Sequence, residues 1–238
     1  MSRPLKDLKG KRVLATSSAK VAGALIRALE DAGARPLHIP LVLILPPRDG
    51  YASLDRAISR LSSFDWVVFT SRNAVDAFLS RLGEGRLPKS VRIAAVGPGT
   101  AEELSMSGIV AMAPGGTEGA EGLVRFIAPL MGRGERVLWP RAAGARDALS
   151  RGLSGAGAVV EEALTHETSM PCRESREALA RVVDEGGVDA VLFDSPSAVK
   201  NFVLIVGRER ARLFSKRTLF VPIGPVTERA MREIFDEA

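Results

Sequence analysis

The chain has one cysteine, one tyrosine, two tryptophans and two histidines in 238 residues. Cys172 alone can close no internal disulfide and build no thiolate zinc site, which removes the disulfide-stapled class. No His/Cys metal spacing and no Glu-x-x-His occurs. Lysine is scarce as well: it occupies seven positions, so 26 of the 33 cations are arginine. The longest apolar-rich strip, Leu37 to Pro47, is too short to span a bilayer. The segment Met1 to Lys11 is charged and has no apolar h-region, so it does not read as a signal peptide. The protein is therefore expected to be soluble and cytoplasmic, with no membrane partner. A net charge of +5 and a pI near 9.8 invite a nucleic-acid reading, but aromatics are only 5% and no basic run is extended, so no nucleic-acid partner is expected. Nucleotide signatures are missing too. Gly97-Pro98-Gly99 lacks the third glycine of a dinucleotide fingerprint, which is Glu102, and Gly155-Ala156-Gly157 precedes a strand rather than a helix. There is no Walker loop and no Gly-x-Ser-x-Gly elbow.

What remains is a globular composition, 46% hydrophobic and 26% charged. The length fits one large domain or two small ones. The arginine excess has two readings. It is a compositional bias, or it serves a polyanionic ligand, since the guanidinium fork grips a carboxylate with two hydrogen bonds.

The chain repeats itself at an offset of 124 residues. Arg12-Val13-Leu14 falls on Arg136-Val137-Leu138, and Ala24-Leu25 on Ala148-Leu149. Ala32-Gly33-Ala34 falls on Ala156-Gly157-Ala158, and across 12–34 against 136–158, 11 of 23 positions are identical. The same offset carries Asp65-x-Val67-x-Phe69-x-Ser71 onto Asp189-x-Val191-x-Phe193-x-Ser195, and Phe78 onto Phe202. A third block, Val96-Gly97-Pro98-x-Thr100, returns as Ile223-Gly224-Pro225-x-Thr227. Three ordered blocks imply a duplicated unit and two similar domains.

Each copy alternates strand and helix. Val13–Ala15, Trp66–Phe69 and Val91–Val96 are short apolar runs, as expected of strands covered on both faces. Val137–Trp139, Ala190–Phe193 and Leu219–Ile223 are their counterparts. Helical spacing follows at Val21–Ala32, stopped by Gly33, and at Val75, Phe78, Leu79 and Leu82. This alternation predicts α/β domains with parallel sheets. The extended stretches 35–47 and 158–170 occupy matching places and read either as ordinary second strands or as linkers.

In open parallel sheets, ligands bind beyond the carboxyl ends of the strands. Four turns fall there: Thr70-Ser71-Arg72-Asn73, Gly97-Pro98-Gly99-Thr100, Asp194-Ser195-Pro196-Ser197 (leading into Ala198), and Gly224-Pro225-Val226-Thr227. Each is small and hydroxyl-rich and each opens a helix, whose free N–H groups and positive dipole end attract anions. The plainer reading is that Ser71, Thr100, Ser197 and Thr227 only cap helices. Arg72 is the best-placed cation. Arg141 and Arg146 flank the start of the helix after Trp139-Pro140, and Arg146 has Asp147 beside it as a local ion-pair partner. His38 and His166 lie in the extended stretches, and His166 is a candidate proton donor.

The four turns, taken in order with their flanking strands, resemble the uroporphyrinogen-III synthase family. The matching segments are Val67-Val68-Phe69-Thr70-Ser71-Arg72-Asn73-Ala74-Val75, Ala95 to Ala101, Val191 to Val199, and Ile223 to Thr227. The resemblance implies two similar flavodoxin-like parallel-sheet domains, a two-stranded linker and a ligand cleft between them. It places the domains at 1–36 plus 169–238 and at 46–159, with 37–45 and 160–168 as crossing linkers. It implies no cofactor and no metal, a monomer, and a linear tetrapyrrole substrate carrying eight carboxylates. The implied reaction cyclises hydroxymethylbilane with loss of water and inversion of ring D through a spiro intermediate. The substrate-binding residues expected on this reading are Thr70, Ser71, Arg72, Asn73, Gly97, Thr100, Arg141, Arg146, Ser195, Ser197, Ala198, Gly224 and Thr227. Three positions depart from the family pattern. Thr16-Ser17 stands where Thr-Arg is frequent, Asp194 where a hydroxyl or small residue is frequent, and His166 where a tyrosine helps the hydroxyl leave. These departures raise a rival reading, a non-catalytic tetrapyrrole-binding or regulatory paralogue.

Overall fold

The computed structural model describes residues 8–115 and 119–235, with only the backbone of Lys20. Most of the charged segment Met1 to Lys11 lies outside the described residues. The chain divides into two compact units, Met1–Ile44 with Thr168–Ala238, and Leu45–Glu167. In chain order the elements are β1 (Arg12–Ala15), α1 (Ala19–Asp31), β2 (Arg35–His38), β3 (Leu43–Leu45), α2 (Ala52–Ile58), β4 (Trp66–Phe69), α3 (Arg72–Leu82), β5 (Arg92–Ala95), α4 (Pro98–Met106) and α5 (Gly119–Ile127). They continue with β6 (Arg136–Ala142), α6 (Ala148–Gly155), β7 (Val159–Ser169), α7 (Arg173–Glu185), β8 (Ala190–Phe193), α8 (Pro196–Val206), α9 (Arg208–Ser215), β9 (Leu219–Pro222) and α10 (Pro225–Phe235).

One unit has a sheet ordered β2-β1-β8-β9 and the other a sheet ordered β3-β7-β6-β4-β5. The pairs β1–β2, β1–β8 and β8–β9 are parallel, as are β6–β7, β4–β6 and β4–β5. The sequence repeat explains this equivalence. It carries β1 onto β6, β4 onto β8 and β5 onto β9, so β2-β1-β8-β9 and β7-β6-β4-β5 are the same order. Only the chain order of the two halves differs.

Local physics repeats with the sequence. After α1, Gly33 sits at φ +77° and Ala34 N–H donates back to Leu29 O at 2.9 Å. After α6, Gly157 sits at φ +94° and Ala158 N–H donates to Leu153 O at 3.1 Å. Glycine reaches that left-handed conformation without a Cβ clash, which is why Ala-Gly-Ala closes both helices. In the cores, Phe69 meets Phe78 edge-on at 5.2 Å, and Phe193 meets Phe202 edge-on at 5.4 Å. All four rings are fully buried. Each such pair contributes about 0.5–1.5 kcal/mol beyond area burial.

The two extended stretches differ. Residues 158–170 contain one 11-residue strand, β7, which pairs with β6 from Val159 to His166. Residues 35–47 contain two short strands, β2 and β3, separated by a segment holding Pro40, which has no amide hydrogen for a ladder. β6 runs on to Ala142, past the expected end at Trp139, because β7 supplies partners that far.

At Gly152 in α6, an added Cβ would lie 2.9 Å from both methyls of Val124 on α5. Valine has little rotamer freedom in a helix. Gly152→Ala is therefore expected to destabilise the protein by roughly 1–3 kcal/mol despite alanine's better helix propensity, read as a lower urea midpoint.

Candidate functional site

Each unit presents turns at the carboxyl ends of its strands. In the 45–167 unit these follow β4, β5 and β6. In the other they follow β1, β8 and β9.

The turns after β4 and β8 have equivalent geometry. Ser71 is extended, and its Oγ accepts from Ala74 N–H at 3.2 Å. Ser195 does the same with Ala198 N–H at 3.2 Å. Ser71 and Ser195, not Ser197, are thus the capping residues, because Pro196 occupies the first helical position of α8 and puts Ser195 at the cap. Ala198 contributes this backbone donor and a buried methyl. Removing either hydroxyl, Ser71→Ala or Ser195→Ala, is expected to cost about 0.5–2 kcal/mol in a urea titration.

The caps consume only one first-turn donor each. Arg72 and Asn73 N–H in α3, and Ser197 N–H in α8, have no helical partner because the first turn lacks i−4 carbonyls. The turns after β5 and β9 add two more helix starts. Gly97 is extended there, whereas Gly224 is left-handed at φ +88°, so Gly224 is the one of the pair that needs glycine. Pro98 and Pro225 hold the first helical positions of α4 and α10.

Thr100 and Thr227 lie one turn in, exposed by only 6% and 3%. Neither hydroxyl makes a cap bond or other hydrogen bond among the described residues. Thr70 differs: its hydroxyl accepts from the Trp139 indole N–H at 3.2 Å, tying the β4 turn to β6.

The cations separate into two kinds. Arg72 and Arg146 are exposed and have no ion-pair partner among the described residues. Arg141 lies inside β6 rather than at a helix start, with its side chain only 7% exposed. Its guanidinium meets Glu162 Oε2 at 2.5 Å and Asp147 Oδ1 at 3.3 Å, donates to Ala145 O, and stacks 4.4 Å from the Trp139 ring centroid. The expected partner of Arg146 is therefore taken by Arg141. Two carboxylates already face this one cation, which leaves Arg141 little capacity for a further anion.

His166 is on β7 and buried. Thr165 is an extra residue in the ladder, since Leu164 pairs with Arg141 and His166 with Ala142. Such a bulge re-aims the following side chain. Thr165 Oγ1 lies 2.9 Å from His166 Nδ1, and Ala143 N–H donates to His166 O at 2.8 Å. Burial pushes the imidazole below its ordinary pKa, so the ring is neutral near pH 7.

In the other unit, Ser17 is buried at the end of β1, and its carbonyl accepts from His38 Nε2 at 2.8 Å. His38 is therefore engaged with the backbone. Asp194 is half-buried beside Ser195, with no ion pair among the described residues. No group of His, Cys, Asp and Glu among the described residues could hold a metal ion. No described helix is long and apolar enough to cross a membrane.

Sequence reasoning missed Trp139, Glu162 and Thr165 as parts of this site, and gave Asp147 to Arg146 rather than to Arg141. Trp139 and Arg141 sit two apart, so they share a face of β6, a signal that alternation carries. The partners on β7 depend on register, which one sequence does not give.

The family model described as uroporphyrinogen-III synthase HemD matches residues 23–234. This chain belongs to the uroporphyrinogen-III synthase family. A relative named uroporphyrinogen-III synthase, from Synechococcus elongatus, is 30% identical over 96% of this chain and 88% of that protein. A relative from Methanothermobacter thermautotrophicus is 33% identical over 87% of this chain and 83% of its own length. A solved structure of a mutant uroporphyrinogen III synthase from Thermus thermophilus matches with a TM-score of 0.64 at 22% identity, covering 94% of this chain and 89% of that one. At that identity the likeness speaks for the α/β fold with parallel sheets.

Proposed function

We propose that this protein is a uroporphyrinogen-III synthase, a cyclising hydro-lyase acting on hydroxymethylbilane. The supporting observation is the pair of equivalent helix-opening turns in each unit, within a chain of this family. The substrate's eight carboxylates suit these turns. First-turn N–H groups of α3, α4, α8 and α10 bind anions without a charged side chain. Thr100 and Thr227 hydroxyls donate further bonds, and Arg72 and Arg146 supply mobile cations at the rim. In this reading no cofactor or metal takes part and the protein acts as a monomer.

The hydroxyl group leaves an electron-rich pyrrole readily, so the protein's main task is geometric. It holds the chain so that the ring closes on the inverted carbon of ring D, forming the spiro intermediate on the way. Water departs with one proton supplied. In the tautomer in which Thr165 donates to Nδ1, the neutral His166 ring offers Nε2–H as a hydrogen bond to the departing hydroxyl, and the imidazolium, whose fraction grows as pH falls, supplies the proton and returns to the neutral ring. A paralogue without isomer control is not favoured, because relatives matching most of this chain carry the synthase name.

The experiment is to supply hydroxymethylbilane, oxidise the products and separate the uroporphyrin isomers. Type III is expected; the type I isomer of spontaneous closure alone would refute the reading. His166 adds a pH prediction. Its folded pKa lies below the unfolded value of about 6.5. The folded state thus binds fewer protons, and the stability this contributes is present above pH ~6.5 and lost as pH falls below it. His166→Phe is expected to remove that part of the acid loss and to flatten the rise in turnover as pH falls through the depressed pKa. Unchanged turnover across the range would eliminate the proton-donor role.

A further inference from the structure

Arg141 is a buried side chain that the proposed reaction does not use as a ligand. Its fork reaches three places at once: Glu162 on the neighbouring strand β7, and Ala145 O and Asp147 in its own following turn. Its Nε is buried with no partner, so the guanidinium is held by these outer contacts and by the Trp139 ring. The turn it grips is the one whose Ala143 N–H donates to His166 O. The ladder between β6 and β7 changes register at this point, between Arg141 and Ala142. A register change in a sheet costs pairing unless something outside the ladder fixes it.

We infer that Arg141, clamped by Glu162 and Asp147, is a positioning residue that fixes the β6–β7 bulge and thereby the place of the His166 ring. The inference rests on the synthase reading with His166 in the site. Other charged groups on these strands are committed elsewhere. Glu167 pairs with Arg48 at 2.8 Å, and Glu161 with Arg60 at 2.6 Å and Arg136 at 3.7 Å. Arg141 therefore has no substitute in this role among those pairs.

The test uses the full chain and its two histidines, whose Hε1 resonances His166→Phe assigns. In Arg141→Met the His166 titration is expected to move up towards the ordinary histidine value. Turnover is expected to fall on the order of tenfold, with KM changing less. In the His166→Phe background the same substitution should cost less than about twofold further, because coupled residues are non-additive. An unchanged His166 titration in Arg141→Met, or an equal loss of kcat in both backgrounds, would overturn the inference. Arg141→Lys keeps the charge without the fork and serves where the methionine variant does not fold. An upward His166 titration there supports the role, and wild-type titration and kcat refute it. If His166→Phe alone leaves kcat unaltered, the proton-donor reading fails, yet the titration comparison still decides whether Arg141 places the ring.

Discussion

Thr227→Val, and Thr100→Val likewise, should lower kcat/KM by roughly ten- to a hundredfold at each site while leaving the urea midpoint near wild type. A hydrogen bond to a charged group is worth about 1.5–3 kcal/mol, which is that range in rate or affinity. The two threonines are buried residues at the starts of α10 and α4, yet their hydroxyls keep some contact with solvent and have no hydrogen-bond partner among the described residues. Valine has nearly the same shape, so its cost to folding is small or even favourable, because no internal bond is lost. Serine retains the hydroxyl and should keep most activity. A Thr227→Val protein with wild-type kcat/KM would show that this hydroxyl does not hold the substrate.

Phe202→Ala is expected to have the largest effect on stability, about 3–5 kcal/mol. Phe202 is fully buried and packs against Phe193 at 5.4 Å, Phe220 at 5.2 Å and Phe214 at 6.3 Å between ring centroids. Three aromatic neighbours lose a partner together, and the cavity cannot collapse onto small side chains. Domains are stable by only about 5–15 kcal/mol, so this removes much of one unit's margin. Because the chain has two compact units, urea unfolding should show the Phe202 effect in the transition of the 1–44 and 168–238 unit. The other unit carries the equivalent ring, Phe78, and should keep its own midpoint. A single unshifted transition in Phe202→Ala would contradict this.

Much of the fold is legible because the chain states it twice. The 124-residue offset pairs β1 with β6 and β4 with β8, and the same strand order follows in both sheets. It pairs Ser71 with Ser195, and the two caps have the same donor position and distance. Pro196 could have told Ser195 from Ser197, since proline prefers the first helical position. The cations were less legible. Arg141, Arg146 and Asp147 are close in sequence, and adjacency favours Arg146–Asp147. The pairing of Arg141 instead depends on the β6–β7 register, which sets Glu162 across from Trp139, and the place of His166 depends on the bulge at Thr165. Those are long-range facts with no local signature. The same holds for Thr70, whose partner Trp139 is 69 residues away.

The central claim is that this chain directs ring closure rather than only binding a tetrapyrrole. Isomer analysis after incubation with hydroxymethylbilane tests it most directly. The account predicts uroporphyrinogen III in excess over the uncatalysed background, and its loss in the Thr100→Val, Thr227→Val double variant. Type I product alone, at the rate seen without protein, would contradict it.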